Sequence, residues 1–252
     1  NWKAGTSFTN DASATGIGTI DSTGSVSQEA GFSIISYTGN GTANQSVAHG
    51  LGATPKFIII KPRSASGYWC VTNPRFVSVS DPNILYLQLS NGGEADDTNI
   101  NGTTAPSSTV FGVDDYGAVN TNGQTQIAYC FTPIKGYSSM GTYVGNGSND
   151  GSFIWTGMKP AFILRRRADG AGSWLMQDNK RPGSNRAVAN SLPTDNNVLY
   201  SNTSDAELYN NELDILSNGF KLRATDTFGN ASGGTYIYMA FAENPFVTST
   251  GV

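Results

Sequence analysis

The apolar residues of this chain fall in short runs separated by turn residues, a pattern that predicts β-strands. The run 32–37 is rich in β-branched and aromatic residues and ends at Gly39-Asn40-Gly41. Asn-Gly favours a turn there because both residues tolerate positive φ. The run 56–61 is apolar between two lysines and predicts a central strand buried on both faces. Comparable runs predict further strands at 67–71, 84–89, 109–113 and 124–132.

Short β runs continue to the end of the chain. Residues 220–223 and 235–241 predict a final hairpin-like pair, joined by a loop rich in Asn, Ser and Gly. An apolar period of 3.6 residues persists nowhere, and the best helix candidate is 204–216, where a single turn is expected. About six short strands in each half indicate an all-β fold of antiparallel sandwich units with little or no helix.

The sequence also matches itself at a spacing of about 105 to 114 residues, which indicates an internal repeat. Tyr-Thr-Gly-Asn-Gly at 37–41 matches Tyr-Val-Gly-Asn-Gly at 143–147, and Trp69 falls opposite Trp174. We therefore predict two tandem homologous β-sandwich units. The predicted segments are a Ser/Thr/Gly-rich N-terminal segment at 1–30, repeat 1 at 31–135 and repeat 2 at 136–252.

Composition and charge narrow the functional classes. Charged residues make up 13% of the chain, about half the usual share of roughly 25%. The net charge of −4 gives no basic field that would gather nucleic acid, so we expect no nucleic-acid partner. Membrane insertion is not expected, because no apolar run approaches the roughly 20 residues that span a bilayer. The chain starts at Asn1 without a signal-peptide pattern, and we expect it to begin partway through a longer product.

The residues most often used in catalysis are few. His49 is the only histidine, and a Ser-His-Asp triad or a His-rich metal site needs it or more. We interpret it as a structural loop histidine and expect no catalytic residue, metal or cofactor. Cys70 and Cys130 correspond to Leu175 and Ala240 in the repeat, which indicates buried core thiols; a disulfide between them is the alternative.

Five residues are candidates for ligand or interface contacts. Asp114 and Asp115 lie on a turn where paired oxygens hold calcium in other proteins, but their spacing matches no calcium loop, and solvated carboxylates are the preferred interpretation. Tyr68 carries an aromatic face that suits sugar rings. Arg165 and Arg167 end a predicted strand, where charge discourages edge-to-edge aggregation or pairs with acidic groups of a neighbouring subunit; a polyanion site is the alternative, which the acidic net charge disfavours.

Several stretches together resemble a duplicated domain of unassigned function in the tail-fibre and virion structural proteins of tailed bacteriophages. They are residues 2–5, 31–34, 47–52, 127–131, 218–221 and 231–238. This resemblance covers nearly the whole chain, implies a role on the virion surface and carries no catalytic residues. The repeated pattern is also similar to a six-stranded lectin-type sandwich of phage tail fibres and invertebrate lectins, which assembles as a trimer and binds sugars at subunit edges.

These observations lead us to expect a phage tail-fibre or tail-tip adhesion module and not an enzyme. It would form a homo-oligomer, a trimer if the lectin resemblance holds, and contact other virion proteins and a host-surface glycan or protein. The alternative is a purely structural virion component, such as a capsid decoration protein, head fibre or tail spacer. A depolymerase is a third class; it would need two carboxylates facing each other across a cleft, and no segment singles out such a pair.

Overall fold

The computed structural model describes residues 5–72, 84–90, 100–180, 197–209 and 212–245. Its strands pair antiparallel and only two helical turns accompany them in the described part, which confirms the predicted all-β fold. The chain folds into two compact units. Unit 1 comprises residues 1–87 and 94–133, and unit 2 comprises 88–93 and 134–252. None of the helices within the described ranges is long or apolar enough to cross a membrane.

Unit 1 contains a seven-stranded sheet and a two-stranded sheet. Its elements are β1 (Thr6–Asn10), α1 (Ala12–Thr15), β2 (Ser22–Ser27), β3 (Phe32–Thr38), β4 (Gln45–Ala48), β5 (Phe57–Pro62), β6 (Cys70–Thr72), β7 (Leu85–Tyr86), β8 (Val110–Val113), α2 (Gly117–Asn120) and β9 (Thr125–Phe131). The large sheet has the order β1-β2-β3-β9-β5-β6-β7, and β4 pairs with β8. As the sequence predicts, β5 is a central strand: the adjacent Phe57 and Ile58 point to opposite faces, and each is 1% exposed.

Unit 2 contains a six-stranded sheet and a three-stranded sheet. Its elements are β10 (Ser138–Val144), β11 (Phe153–Trp155), β12 (Pro160–Arg167), β13 (Leu175–Asp178), β14 (Asn197–Tyr200), β15 (Leu208–Tyr209), β16 (Leu213–Leu216), β17 (Gly219–Leu222) and β18 (Thr235–Ala242). The orders are β10-β18-β12-β13-β14-β15 and β11-β17-β16. The core between them gathers Tyr143, Ile163, Phe220 and Tyr236, with the Tyr143 and Tyr236 rings stacked 4.9 Å apart.

Two predictions for the last third of the chain are wrong. β17 and β18 do not pair; β17 lies between β11 and β16, whereas β18 lies between β10 and β12. Five consecutive residues of β18 are buried, as suits a central strand, and β17 alternates buried Phe220 with half-buried Lys221, as suits a surface sheet. The helix candidate at 204–216 contains β15 and β16 instead, because Leu213 and Ile215 are buried with the two-residue period of a strand.

Other strands are shorter than predicted. The strand expected at 67–71 begins only at Cys70, and the one expected at 84–89 is limited to Leu85–Tyr86. The aromatic residues before Cys70 precede the strand, and Gly67 before them approaches the Pro62 ring, where a Cβ would lie 2.7 Å from Cγ.

A buried asparagine ties down the same turn in each unit. In unit 1, Asn120 accepts the N–H of Asn40 through Oδ1 at 2.9 Å and donates from Nδ2 to the carbonyl of Thr42 at 2.8 Å. In unit 2, Asn230 bonds the backbone of Asn146 and Ser148 at 2.9 Å each.

Both asparagines are fully buried, so each side chain replaces water for its turn. These equivalent contacts agree with an internal repeat, which remains a prediction.

Replacing either asparagine by alanine removes both of these bonds and leaves backbone groups of the turn without a partner. We expect Asn120→Ala and Asn230→Ala each to lower the free energy of unfolding by about 1–3 kcal/mol. Asn122→Ala, an exposed neighbour, is the control and should stay within about 0.5 kcal/mol of wild type. Urea denaturation followed by far-UV circular dichroism measures all three; equal effects for buried and exposed variants would contradict the assigned role.

Candidate functional site

His49 lies inside unit 1, where it fastens a loop. Its side chain has no exposed surface. Nδ1 accepts the N–H of Leu51 at 3.2 Å, which leaves the proton on Nε2 to donate to the carbonyl of Ser107, also at 3.2 Å. Burial lowers the pKa of His49 to about 4. The ring is thus neutral at physiological pH and is held by backbone groups rather than by a nucleophile or a carboxylate.

Both cysteines are free, buried thiols in unit 1. Cys70 lies on β6 and pairs with Ile60 of β5, whereas Cys130 lies on β9 and pairs with Ile58 of β5. Burial raises the pKa of each thiol to about 12, so neither is a thiolate nucleophile at neutral pH. The structure therefore holds them as core thiols and not as a disulfide.

The unit 1 candidates are near the surface. Tyr68 is 45% exposed, and its ring lies 4.6 Å from that of Tyr86. Asp114 accepts the backbone N–H of Asn44 at 2.9 Å, which uses it as a turn acceptor, while Asp115 is exposed. In the described part of the chain, no three His, Cys, Asp or Glu side chains come together as metal ligands.

Arg165 is placed differently from its prediction. Its side chain on β12 is fully buried and its Nη2 forms a 2.8 Å ion pair with Glu212, so it presents nothing to a partner at the surface. Its remaining donors reach Gln177 at 3.2 Å, Tyr143 at 3.2 Å and the carbonyl of Gly229 at 3.1 Å. The interpretation as a surface contact is therefore wrong for Arg165.

Arg167, at the end of the same strand, is partly exposed and pairs with Asp169 at 2.8 Å.

The carboxyl of Glu212 is unusual in its chemistry but closed to substrates. Burial, with Asp226 nearby, raises the pKa of Glu212 to about 7 against the opposing effect of Arg165. A carboxyl with such a pKa suits acid–base catalysis when it lines a cleft. Here the side chain is 3% exposed and lies against the backbone at Gly229, where a Cβ would fall 2.7 Å from Oε2. We therefore interpret the Arg165–Glu212 pair as a structural part of the unit 2 core.

Unit 1 places apolar side chains at the positions of this ion pair. Counting along the strand from the aligned pairs Phe57–Phe131 and Phe162–Phe241, Ile60 takes the place of Arg165. Ile100 takes the place of Glu212, because the two residues make the same backbone bond. The carbonyl of Ile100 accepts the N–H of Asp114, and the carbonyl of Glu212 accepts the N–H of Arg223. Both isoleucines are buried, so one backbone pattern accommodates either interior.

The two most exposed aromatic side chains among the described residues lie together on β11 of unit 2. Trp155 is 68% exposed and Phe153 is 46% exposed, whereas Ile154 between them is buried against the core. Strand alternation therefore turns both aromatic rings to the outer surface of the β11-β17-β16 sheet. We call this surface the aromatic face; it comprises Phe153, Trp155, Asp214, Lys221 and Arg223.

Two glycines let these rings pack closely against the backbone. A Cβ on Gly157 would lie 3.1 Å from Cη2 and Cζ2 of Trp155, and a Cβ on Gly219 would lie 3.0 Å from Cε2 of Phe153. The rings can lie close to the backbone only because these positions carry no side chain. The result is a broad, low apolar surface rather than a pocket.

Charged groups border the aromatic face in balanced pairs. Lys221 pairs with Asp150, and Arg223 donates from Nε to Asp214 at 2.6 Å and lies 3.8 Å from Asp150. The hydrogen bond from Lys221 lowers the pKa of Asp150 and so favours its carboxylate form. Two cations thus face two carboxylates, and the border offers donors and acceptors without a net charge.

Sequence reasoning missed the aromatic face. Phe153, Ile154 and Trp155 form a run of three residues, too short to stand out among longer apolar runs. The available signal was the self-match, because Trp155-Thr156-Gly157 falls opposite the His49 loop and carries an aromatic residue where unit 1 has none.

The family model described as "Domain of unknown function (DUF7483)" matches residues 1–245. Neither the curated proteins nor the solved structures contain a match to this chain.

The pKa of His49 predicts a specific pH dependence of stability. An unfolded histidine binds a proton near pH 6.5 and the native one only near pH 4, so the unfolded state holds more protons between these values and stability falls as the pH falls through this window. The loss is at most about 3 kcal/mol. His49→Asn should show a flatter stability profile between pH 7 and pH 4; parallel profiles for wild type and variant would exclude this role.

The buried ion pair predicts strongly non-additive mutations. Arg165→Ile leaves Glu212 buried without its partner and should lower the free energy of unfolding by about 3–5 kcal/mol. The double variant Arg165→Ile/Glu212→Ile reproduces the pair found in unit 1 and should recover most of that loss. Guanidinium denaturation of wild type, both single variants and the double variant measures the coupling. Additive losses would show that the two side chains act independently.

Proposed function

We propose that this chain, which belongs to the DUF7483 family, is an adhesion module of a bacteriophage virion surface that binds host glycan through the aromatic face of unit 2. The observation that carries the proposal is the exposure of Trp155 and Phe153 side by side on one strand. The phage setting is supported by the resemblance of the chain's repeated stretches to tail-fibre and virion structural proteins.

Exposed aromatic pairs need a reason, because water contact with large apolar rings is unfavourable. A sugar ring has a face of C–H groups that covers such a surface, while its hydroxyl groups seek hydrogen bonds at the periphery. The aromatic face supplies both requirements: flat rings at the centre, and Asp214, Lys221 and Arg223 at the border. This arrangement suits a saccharide better than a purely apolar ligand.

The charge balance points to a neutral saccharide. Both border cations are already paired with carboxylates, so an anionic glycan would have to compete with Asp150 and Asp214 for them. Neutral hydroxyl groups can instead accept from the cations and donate to the carboxylates while the pairs stay intact. Hexose-rich surface polysaccharide without acid groups is therefore the substrate class that we assign to the site.

A glycan array of neutral and acidic bacterial surface saccharides tests this function. Wild type should bind neutral glycans, and Trp155→Ala should weaken that binding about fivefold, since stacking on an aromatic ring contributes on the order of 1 kcal/mol. Phe228→Ala is the matched control, because Phe228 is also an exposed aromatic residue of unit 2, at 43%, but lies on a loop outside the aromatic face.

Circular dichroism verifies that the Trp155→Ala and Phe228→Ala variants are folded. Unchanged binding by Trp155→Ala, equal losses in both variants, or no glycan binding by wild type would reject the proposal.

A further inference from the structure

In unit 1, the N-terminal segment lies along one edge of each sheet. We call residues 5–30 the leader. Its strand β2 pairs with β3 from Phe32 to Tyr37, for example Ser25 with Ile34. Farther along the leader, Thr19 and Ile20 donate their N–H groups to the carbonyl of Ser46 on β4 at 2.9 and 3.1 Å. The leader thus satisfies both exposed strand edges, β3 and β4.

In its described residues, unit 2 has the corresponding edges without a leader. β10 pairs with β18 as β3 pairs with β9, and β11 pairs with β17 as β4 pairs with β8. The chain enters β10 from β9 through residues 132–137, and these residues contain no strand that could pair with β10 as β2 pairs with β3. β10 is accordingly the end strand of its sheet.

The hydrogen bonds at the two ends of β10 show which of its N–H and C=O groups point toward β18 and which point away. The carbonyl of Tyr137 accepts from Ala242, and the N–H of Gly145 donates to Gly234, both toward the β18 side. Bonded residues alternate in an antiparallel ladder, so Met140 and Thr142 turn their N–H and C=O groups away from β18. Within the ranges that the structure describes, no residue bonds to these groups, whereas in unit 1 the equivalent strand carries β2.

We propose that β10 is an interface between two copies of this chain, in which the two β10 strands pair antiparallel across a two-fold axis. Such a pair extends the six-stranded sheet of each copy into one continuous sheet. A strand edge that meets its own copy antiparallel forms the same bonds in both directions, so the contact closes at two copies and needs no third component.

The composition of β10 favours a second copy over a charged partner. Its sequence Ser-Ser-Met-Gly-Thr-Tyr-Val contains none of the charged residues or prolines that normally protect exposed edges from pairing. Gly141 at its centre presents no side chain to a neighbouring strand. With no charge on the strand, two identical edges meet without repulsion.

The position of β11 also supports an interface at β10. β11 lies beside β10, since the Ser152 hydroxyl donates to the carbonyl of Val144 at 3.1 Å. A pair formed through β10 therefore brings two aromatic faces near the same interface. The two-fold pair differs from the trimer that the lectin-type resemblance implies, so oligomer mass separates the two.

Sedimentation equilibrium of the full chain tests the interface. Wild type should have twice the monomer mass of 26.6 kDa. Thr142→Pro removes an outward N–H without touching the bonds to β18, a position where proline is tolerated in edge strands, and should reduce the mass to that of a monomer. Thr142→Ser keeps the N–H and should remain a dimer. Thr142→Lys supplies an edge charge and provides a second disruptive variant if the proline variant misfolds by circular dichroism.

Thiol cross-linking adds a local readout, because both native cysteines are buried. Thr142→Cys should give a covalent dimer with a short bis-maleimide, whereas Thr225→Cys on an exposed loop of the same unit should not. A monomeric or trimeric wild type, or a dimer that persists in folded Thr142→Pro and Thr142→Lys, would overturn the proposal.

Discussion

The outermost strand of a sheet has outward N–H and C=O groups that need hydrogen-bond partners. How each unit meets this requirement is the main difference between the two units. Unit 1 meets it with its own leader, which adds β1 and β2 beside β3 and reaches across to β4. Unit 2 has strands in corresponding positions, but within its described residues no such segment pairs with β10. The two units therefore share an interior plan and differ at one side, and that side of unit 2 is where the aromatic face and the proposed interface lie.

Within the shared plan, the interior chemistry is free to vary. Ile60 and Ile100 in unit 1 occupy the places of Arg165 and Glu212 in unit 2, and both arrangements are buried. Hydrogen bonds of the backbone and the buried asparagines fix the turns and ladders, so the side chains between the sheets need only fill space and satisfy their own polar atoms. A buried ion pair in one unit is thus compatible with the fold without being required by it.

The sequence predicted the features that depend on local pattern and missed those that depend on distant partners. Apolar runs located β3, β5 and β9, because strands of about seven residues with branched and aromatic side chains are distinctive. The burial of Arg165 was not predictable, since its partner Glu212 lies 47 residues away and arginine is normally exposed. The aromatic face was missed because β11 has three residues, and its meaning depends on exposure that only the assembled sheet reveals.

The turns that the buried asparagines hold in place also affect the rate of asparagine deamidation. In an Asn-Gly sequence, the backbone nitrogen of glycine can attack the side-chain carbonyl carbon of asparagine. This closes a succinimide ring and releases the side-chain amide as ammonia. In both units that nitrogen is engaged: Gly41 donates to the carbonyl of Asn120 at 2.9 Å, and Gly147 to that of Asn230 at 2.8 Å. The bonds that shape these exposed turns therefore also slow their deamidation.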